Sequence, residues 1–213
     1  MFSHLSVAYF FNFPVETLFV MNTRIYLSLV AFAALLSFAS CGNKSPDSTE
    51  AAEAENDKKL DTLDLEADGE FAVAAADGGL LEVTLGKLAQ TKSATPAIQE
   101  LGKTMELDHS KANEELKALA GQKNITLPDS LSEKSQRMVD DLSQKTGKDF
   151  DKAYADMMVD DHQKDIDTFR KESEKGNDGD LKAWATAKLP ILAHHLEMAK
   201  LARESLKEEK KAN

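Results

Sequence analysis

Residues 105–116, MELDHSKANEEL, and residues 158–169, MVDDHQKDIDTF, are two versions of one pattern. Met105, Asp108, His109, Lys111 and Leu116 recur at the same offsets as Met158, Asp161, His162, Lys164 and Phe169. Around the first, Ile98, Gly102, Met105, His109, Ala112, Leu116 and Leu119 follow alternating steps of three and four. Around the second, Tyr154, Met158, His162, Ile166 and Phe169 share a face. That spacing is the seam of a helix bundle. It puts a histidine on the core-facing side of each helix, where an imidazole must be hydrogen-bonded, paired or metal-bound.

Two further stretches carry the same seam. Phe71, Ala75, Gly78, Glu82, Leu85 and Ala89 place a glutamate on the core side of a helix over about Asp68–Thr91. Gly78-Gly79 is costly there, so the helix bends or a neighbour packs closely. Leu181, Ala185, Lys188, Leu192, His195, Ala199, Ala202 and Leu206 do the same over Asp180 to about Lys210, with Lys188 out of character and Pro190 expected to kink or split the helix. The doubled pattern itself lies on helices over Pro96 to about Gly121, which the glycine stops, and Lys148–Lys175. Gly176-Asn177-Asp178-Gly179 reads as a turn. Between the second and third helices, Ser130–Gln144 reads as a short helix across one end of the bundle. Nothing reads as a strand. The fold class is therefore all-α: an antiparallel four-helix bundle, ferritin-like in having one long connection, with an additional short helix within it.

Counted from the turns, Glu82, His109, His162 and His195 each lie roughly 18 to 23 Å from a helix end at about 1.5 Å per residue. They can fall in one mid-bundle layer, with Glu106, Asp108 and Asp161 flanking it. Glu106-x-x-His109 is half of the di-iron bundle signature. Val159 and Leu192 occupy the positions that would complete it, which argues against a standard di-iron oxidase. Two or three histidines with one or two carboxylates would suit zinc, iron, manganese or copper. Three readings stay open: a hydrogen-bonded layer that fixes helix register, a metal site, and a proton-transfer catalyst at His109 or His162. No nucleophile motif supports the third, and a non-enzyme is the expectation.

The front of the chain reads as an address. Arg24, then Ile25–Leu36 (IYLSLVAFAALL), then small residues before Cys41 form a secretory signal beginning at Met21, with residues 1–20 an upstream extension. The apolar run is shorter than the about 20 residues that span a bilayer. Ala39-Ser40-Cys41 resembles a bacterial lipoprotein cleavage site. That resemblance implies lipidation of Cys41 and a membrane partner through the lipid, on the periplasmic or outer-membrane face. Phe38 departs from the usual aliphatic residue, so ordinary cleavage and an uncleaved anchor stay open. Residues 42–67 read as a disordered acidic tether, and 68–210 as the bundle. Cys41 is the single cysteine, which excludes an internal disulfide. With 26 Lys+Arg against 37 Asp+Glu, a net charge of −11, and no basic patch, nucleic acid is not an expected partner.

Taken in order, Phe71-Ala72 with Ala75-Ala76, Asp108-His109 with Lys111-Ala112-Asn113, Asp161-His162-Gln163-Lys164, and Leu189-Pro190 with His194-His195-Leu196 resemble a bacterial envelope family. It is the ferritin-like "domain of unknown function 4142" group, often described as outer membrane proteins. The resemblance covers about residues 66–208. It implies a ferritin-like bundle exported to the envelope, and recurring polar positions at Asp108, His109, Asp161, His162 and His195. It implies no activity.

Overall fold

Helix-forming sequence between short polar breaks gives six helices in the computed structural model, which describes residues 46–60 and 65–212. They are α1 (Ser48–Leu60), α2 (Glu66–Lys92), α3 (Pro96–Lys123), α4 (Glu133–Ser143), α5 (Gly147–Lys175) and α6 (Gly179–Ala212). No strand occurs among the described residues. The signal segment and Cys41 lie outside them.

Contacts between helix ends fix the topology. Asp68, at the start of α2, accepts from the backbone N–H groups of Asn177 (2.9 Å) and Asp178 (2.8 Å), just past the end of α5. Lys123, ending α3, pairs with Asp178 (2.8 Å) and Asp180 (2.5 Å) at the start of α6. So α2 is antiparallel to α5, and α3 to α6. Thr95 Oγ1, at the start of α3, donates to Asp151 on the first turn of α5 (2.6 Å). Helices α3 and α5 therefore begin at the same end, and residues 124–146 must travel the length of the bundle. This is the single long crossover of the ferritin-like arrangement.

Inside that crossover, α4 runs along the flank of α2 rather than across one end, as the sequence reading had it. Ser132 and Ser135 donate to Asp77 (2.8 and 2.7 Å) at one end of α4. At the other end Lys92 Nζ donates to the Ser143 carbonyl. A crossover that spans the bundle must lie along it, which is why an end-on placement fails. Ser132 also caps α4, accepting from Ser135 N–H at 3.1 Å.

Two boundaries differ from expectation for local reasons. Helix α3 passes Gly121 and stops at Asn124, whose φ of 58° is the left-handed cap that asparagine tolerates. Pro190 does not split α6, which is continuous through it. The proline removes one N–H donor, a loss that flanking helix on both sides tolerates.

The disordered tether is corrected over 48–60. The composition is polar and acidic, yet this stretch is helical and docks on the crossover. Asn56 is buried and makes a two-way bond with Thr126, accepting from its N–H (2.7 Å) and donating to its carbonyl (2.9 Å). Leu60 is buried against Gly69, and Asp47 accepts from Glu133 N–H (2.6 Å). A few specific anchors fix a segment that has no apolar period of its own.

Helices α2 and α3 approach closely because of paired glycines. A Cβ built on Gly86 would sit 2.5 Å from the Gly102 carbonyl oxygen, and one on Gly102 would sit 2.7 Å from that of Gly86. The core divides into two apolar clusters. One holds Leu85, Ile98, Met105, Tyr154, Met158 and Ala199. The other holds Phe71, Leu116, Phe169, Leu181 and Leu192. The polar layer belongs to neither cluster.

Candidate functional site

One helix supplies one member of that layer: Glu82 from α2, His109 from α3, His162 from α5 and His195 from α6. All four are buried, with relative exposures of 2, 7, 0 and 1%. The three imidazoles form a near-equilateral triangle, with ring centroids 5.6 Å (His109–His162), 5.2 Å (His109–His195) and 5.3 Å (His162–His195) apart. One ring nitrogen from each lies within 4.8 Å of one nitrogen of the others.

The hydrogen bonds decide which nitrogens carry protons. Nδ1 of His162 lies 3.0 Å from the Met158 carbonyl, which can only accept, so Nδ1 holds the proton and Nε2 presents a lone pair. Nε2 of His195 donates to Asp108 Oδ2 at 2.9 Å, so its Nδ1 also presents a lone pair. These two lone-pair nitrogens face each other at 3.3 Å. His109 Nδ1 bonds Glu82 Oε2 at 2.7 Å, leaving His109 Nε2 buried with no hydrogen-bond partner. Glu82 Oε1 is buried 3.4 Å from His162 Nε2, and its carboxyl also neighbours Asp165, with which it can share a proton. Helix-backbone and carboxylate partners that orient imidazoles in this way are what metal-binding histidines commonly have.

Burial makes the layer reluctant to carry charge. It pushes His162 down to about 3, with the neighbouring His109 and His195 adding to the effect. It pushes His109 down to about 4 and also lowers His195. Glu82 is raised well above the usual carboxylate range by burial and then by the charge of Asp161. Near neutral pH the imidazoles are neutral and their lone pairs are free.

Of the residues singled out in the sequence, Glu82, His109, His162 and His195 meet. Asp108 stands at the rim as the partner of His195, its side chain 47% exposed. Asp161 is half-buried and joins Glu82 in a second group, with carboxylate oxygens within 4.8 Å of one another. Glu106 lies elsewhere: it accepts from Gln90 Nε2 at 2.7 Å and neighbours Lys87 at 3.9 Å. It faces the outer side of α2, so the Glu106-x-x-His109 spacing does not converge on one point.

Sequence reasoning missed Asp165, the third member of the carboxylate group. Burial raises its pKa well above the usual range, and Glu82 and Asp161 beside it raise it further. The signal was present: Asp165 follows His162 by three residues and so shares its face. Also missed was the function of Lys188. Its ammonium pairs with Glu115 of α3, which accepts from Trp184 Nε1 at 3.3 Å, and lies 5.7 Å from the Trp184 ring centre. A cleft of about 90 Å³ beside these residues reaches Glu82, His109, Asp165 and His195.

Among the described residues, no helix is long and apolar enough to cross a membrane. A family model described as "Domain of unknown function (DUF4142)" matches residues 49–201. No curated protein and no solved structure matches the chain. The chain belongs to that family, and the matched region includes α1, the segment read from sequence as tether.

Proposed function

We propose that this member of the DUF4142 family is a transition-metal-binding protein of the bacterial envelope, tethered by a lipid on Cys41. Its ion would be held by His109, His162 and His195 with Glu82. The observation that carries the reading is the 3.3 Å contact between His162 Nε2 and His195 Nδ1. Both nitrogens have their partner ring positions committed to donation, so the contact contains no proton. Two facing lone pairs in a dry interior repel unless a positive centre lies between or beside them, and the nearest proton donor, the Glu82 carboxyl, is 3.4 Å from His162 Nε2, long for a hydrogen bond between O and N. The buried, unpartnered Nε2 of His109 and the carboxylate of Glu82 supply further donors. Three imidazoles and a carboxylate suit zinc, iron, manganese or copper. Asp108 would orient His195, and Asp161 and Asp165 would balance the charge.

The rival reading is a non-catalytic envelope module whose layer sets helix register while its acidic surface meets a partner. The two good bonds, His109–Glu82 and His195–Asp108, favour it. The unpartnered atoms weigh against it, because a register layer gains only when all its members are satisfied.

The test is metal content by mass spectrometry. The purified protein is assayed after separate loading with iron, zinc, manganese and copper, beside a His109→Ala/His162→Ala double variant. Near-stoichiometric metal that vanishes in the variant supports the reading. Background metal in both, with the variant only less stable, selects the register layer. The anchor is tested separately, by fatty-acid labelling of wild type and Cys41→Ala. No label in wild type removes that part.

A further inference from the structure

The sequence places two glycines in mid-helix, and the structure assigns them different work. A Cβ on Gly79 would strike Asn113 Oδ1 at 2.0 Å, so Gly79 makes room for a side chain of α3. A Cβ on Gly78 would meet nothing within 4 Å. The space beside Gly78 is the cleft, which runs inward from Gly78 and Ile191 to Glu82, His109 and His195. A glycine inside a helix costs about 1 kcal/mol relative to alanine. Close packing does not require it at position 78.

The part of the cleft lining that α6 supplies, Trp184 and Lys188, is held by contacts between helices. Lys188 pairs with Glu115, and Glu115 also binds Trp184, so side chains of α3 and α6 are tied together along the opening. At the inner end the cleft meets three of the four members of the layer. His162 is fully buried and is not part of the cleft wall, whereas His109, His195 and Glu82 are. An ion among the three rings would have His162 behind it and the cleft in front.

Resting on the metal reading above, we infer that the cleft is the route by which a small exogenous ligand reaches an open coordination position on that ion. Three imidazoles and Glu82 fill four positions, so the open one is a fifth, which metal sites that act on ligands can take up and purely structural ones keep closed. Size sets the ligand class. A water needs about 10–15 Å³ of such space, and a cavity near 150 Å³ accepts benzene. A cleft of about 90 Å³ therefore suits a metal-coordinating molecule of two or three heavy atoms rather than an aromatic ring or a metabolite.

The test uses cobalt(II) as the ion and azide as the probe, read by the visible absorption of the bound cobalt. Wild type is compared with Gly78→Leu and Ile191→Trp, which add bulk to the cleft from α2 and α6 and replace no ligand residue. Azide is expected to shift the cobalt spectrum of wild type. Both variants should bind cobalt at the wild-type ratio and show an azide Kd at least tenfold higher. If one variant fails to fold, the other decides. Cobalt bound in wild type with a spectrum blind to azide overturns the inference and leaves the metal reading standing. Equal azide affinity in all three proteins does the same. Cobalt that fails to bind wild type overturns this inference, and the metal reading falls with it when the iron, zinc, manganese and copper loadings also give only background.

Discussion

Replacing His162 with leucine distinguishes a metal site from a register layer without any metal being added. In wild type the ring makes one good bond, Nδ1 to the Met158 carbonyl, and opposes His195 Nδ1 at 3.3 Å with its other nitrogen. Leucine loses the bond, worth about 1 kcal/mol. The Met158 carbonyl keeps its ordinary helix partner. Leucine also removes a buried nitrogen that the metal-free protein leaves unsatisfied, a relief of similar or larger size, about 1–3 kcal/mol. At pH 7.5, with chelator present, the variant should lie within about 1 kcal/mol of wild type. The pH dependence sharpens this. Burial holds His162 at about 3, below the 6.5 of a free imidazole. Between these values the unfolded chain binds a proton that the native protein refuses, so wild-type stability falls as pH falls. From pH 7.5 to 5.0 this one group removes about 2 kcal/mol from wild type and nothing from the variant. The raised carboxyls Glu82 and Asp165 act in the opposite direction, but in both proteins, and largely cancel in the difference. Urea unfolding followed by the fluorescence of Trp184, the single tryptophan, measures it. A variant several kcal/mol less stable at pH 7.5, or identical pH slopes for the two proteins, would refute the reasoning.

Other outcomes follow from individual contacts. Asp108→Ala removes the acceptor that orients His195, and should weaken metal binding 10- to 100-fold by competition titration. Its metal-free stability should fall by about 1–3 kcal/mol, because the buried His195 Nε2–H loses its acceptor. Glu172 is raised to about 7 by burial and by Asp68 beside it, so the native protein loses stability as pH rises from about 4.5 to 7. Glu172→Gln should therefore raise Tm at pH 8, by roughly 3 kcal/mol in stability, and leave it unchanged at pH 4. Gly86→Ala gains up to about 1 kcal/mol of helix propensity but drives a methyl into the Gly102 carbonyl, and chemical denaturation should show a net loss of about 1–3 kcal/mol. Asn56→Ala orphans the Thr126 backbone pair and should cost about 2 kcal/mol, with faster proteolysis within α1. No change would mean that α1 is not part of the folded unit.

The sequence by itself determined the elements and their inner faces. A period of three and four, broken by short polar turns, allows a chain to bury its apolar stripe only by packing helices together. The histidines on that stripe had to meet the core wherever the helices went. Equal distances from the turns then placed Glu82, His109, His162 and His195 at one height, and the structure brings them together there. What the sequence could not determine is direction around the axis and contact across long separations. Glu106 and Asp165 are each three residues from a layer histidine, yet α2 draws Glu106 away to Gln90 while Asp165 turns in beside Glu82. Helix α1 has no apolar period to announce it, because two bonds to Thr126 and a buried Leu60 hold it, and those partners exist only once the crossover is in place. The choice of nitrogen on each imidazole also belongs to the tertiary structure. It depends on Asp108 reaching His195 across 87 positions of chain, which spacing along one helix cannot encode.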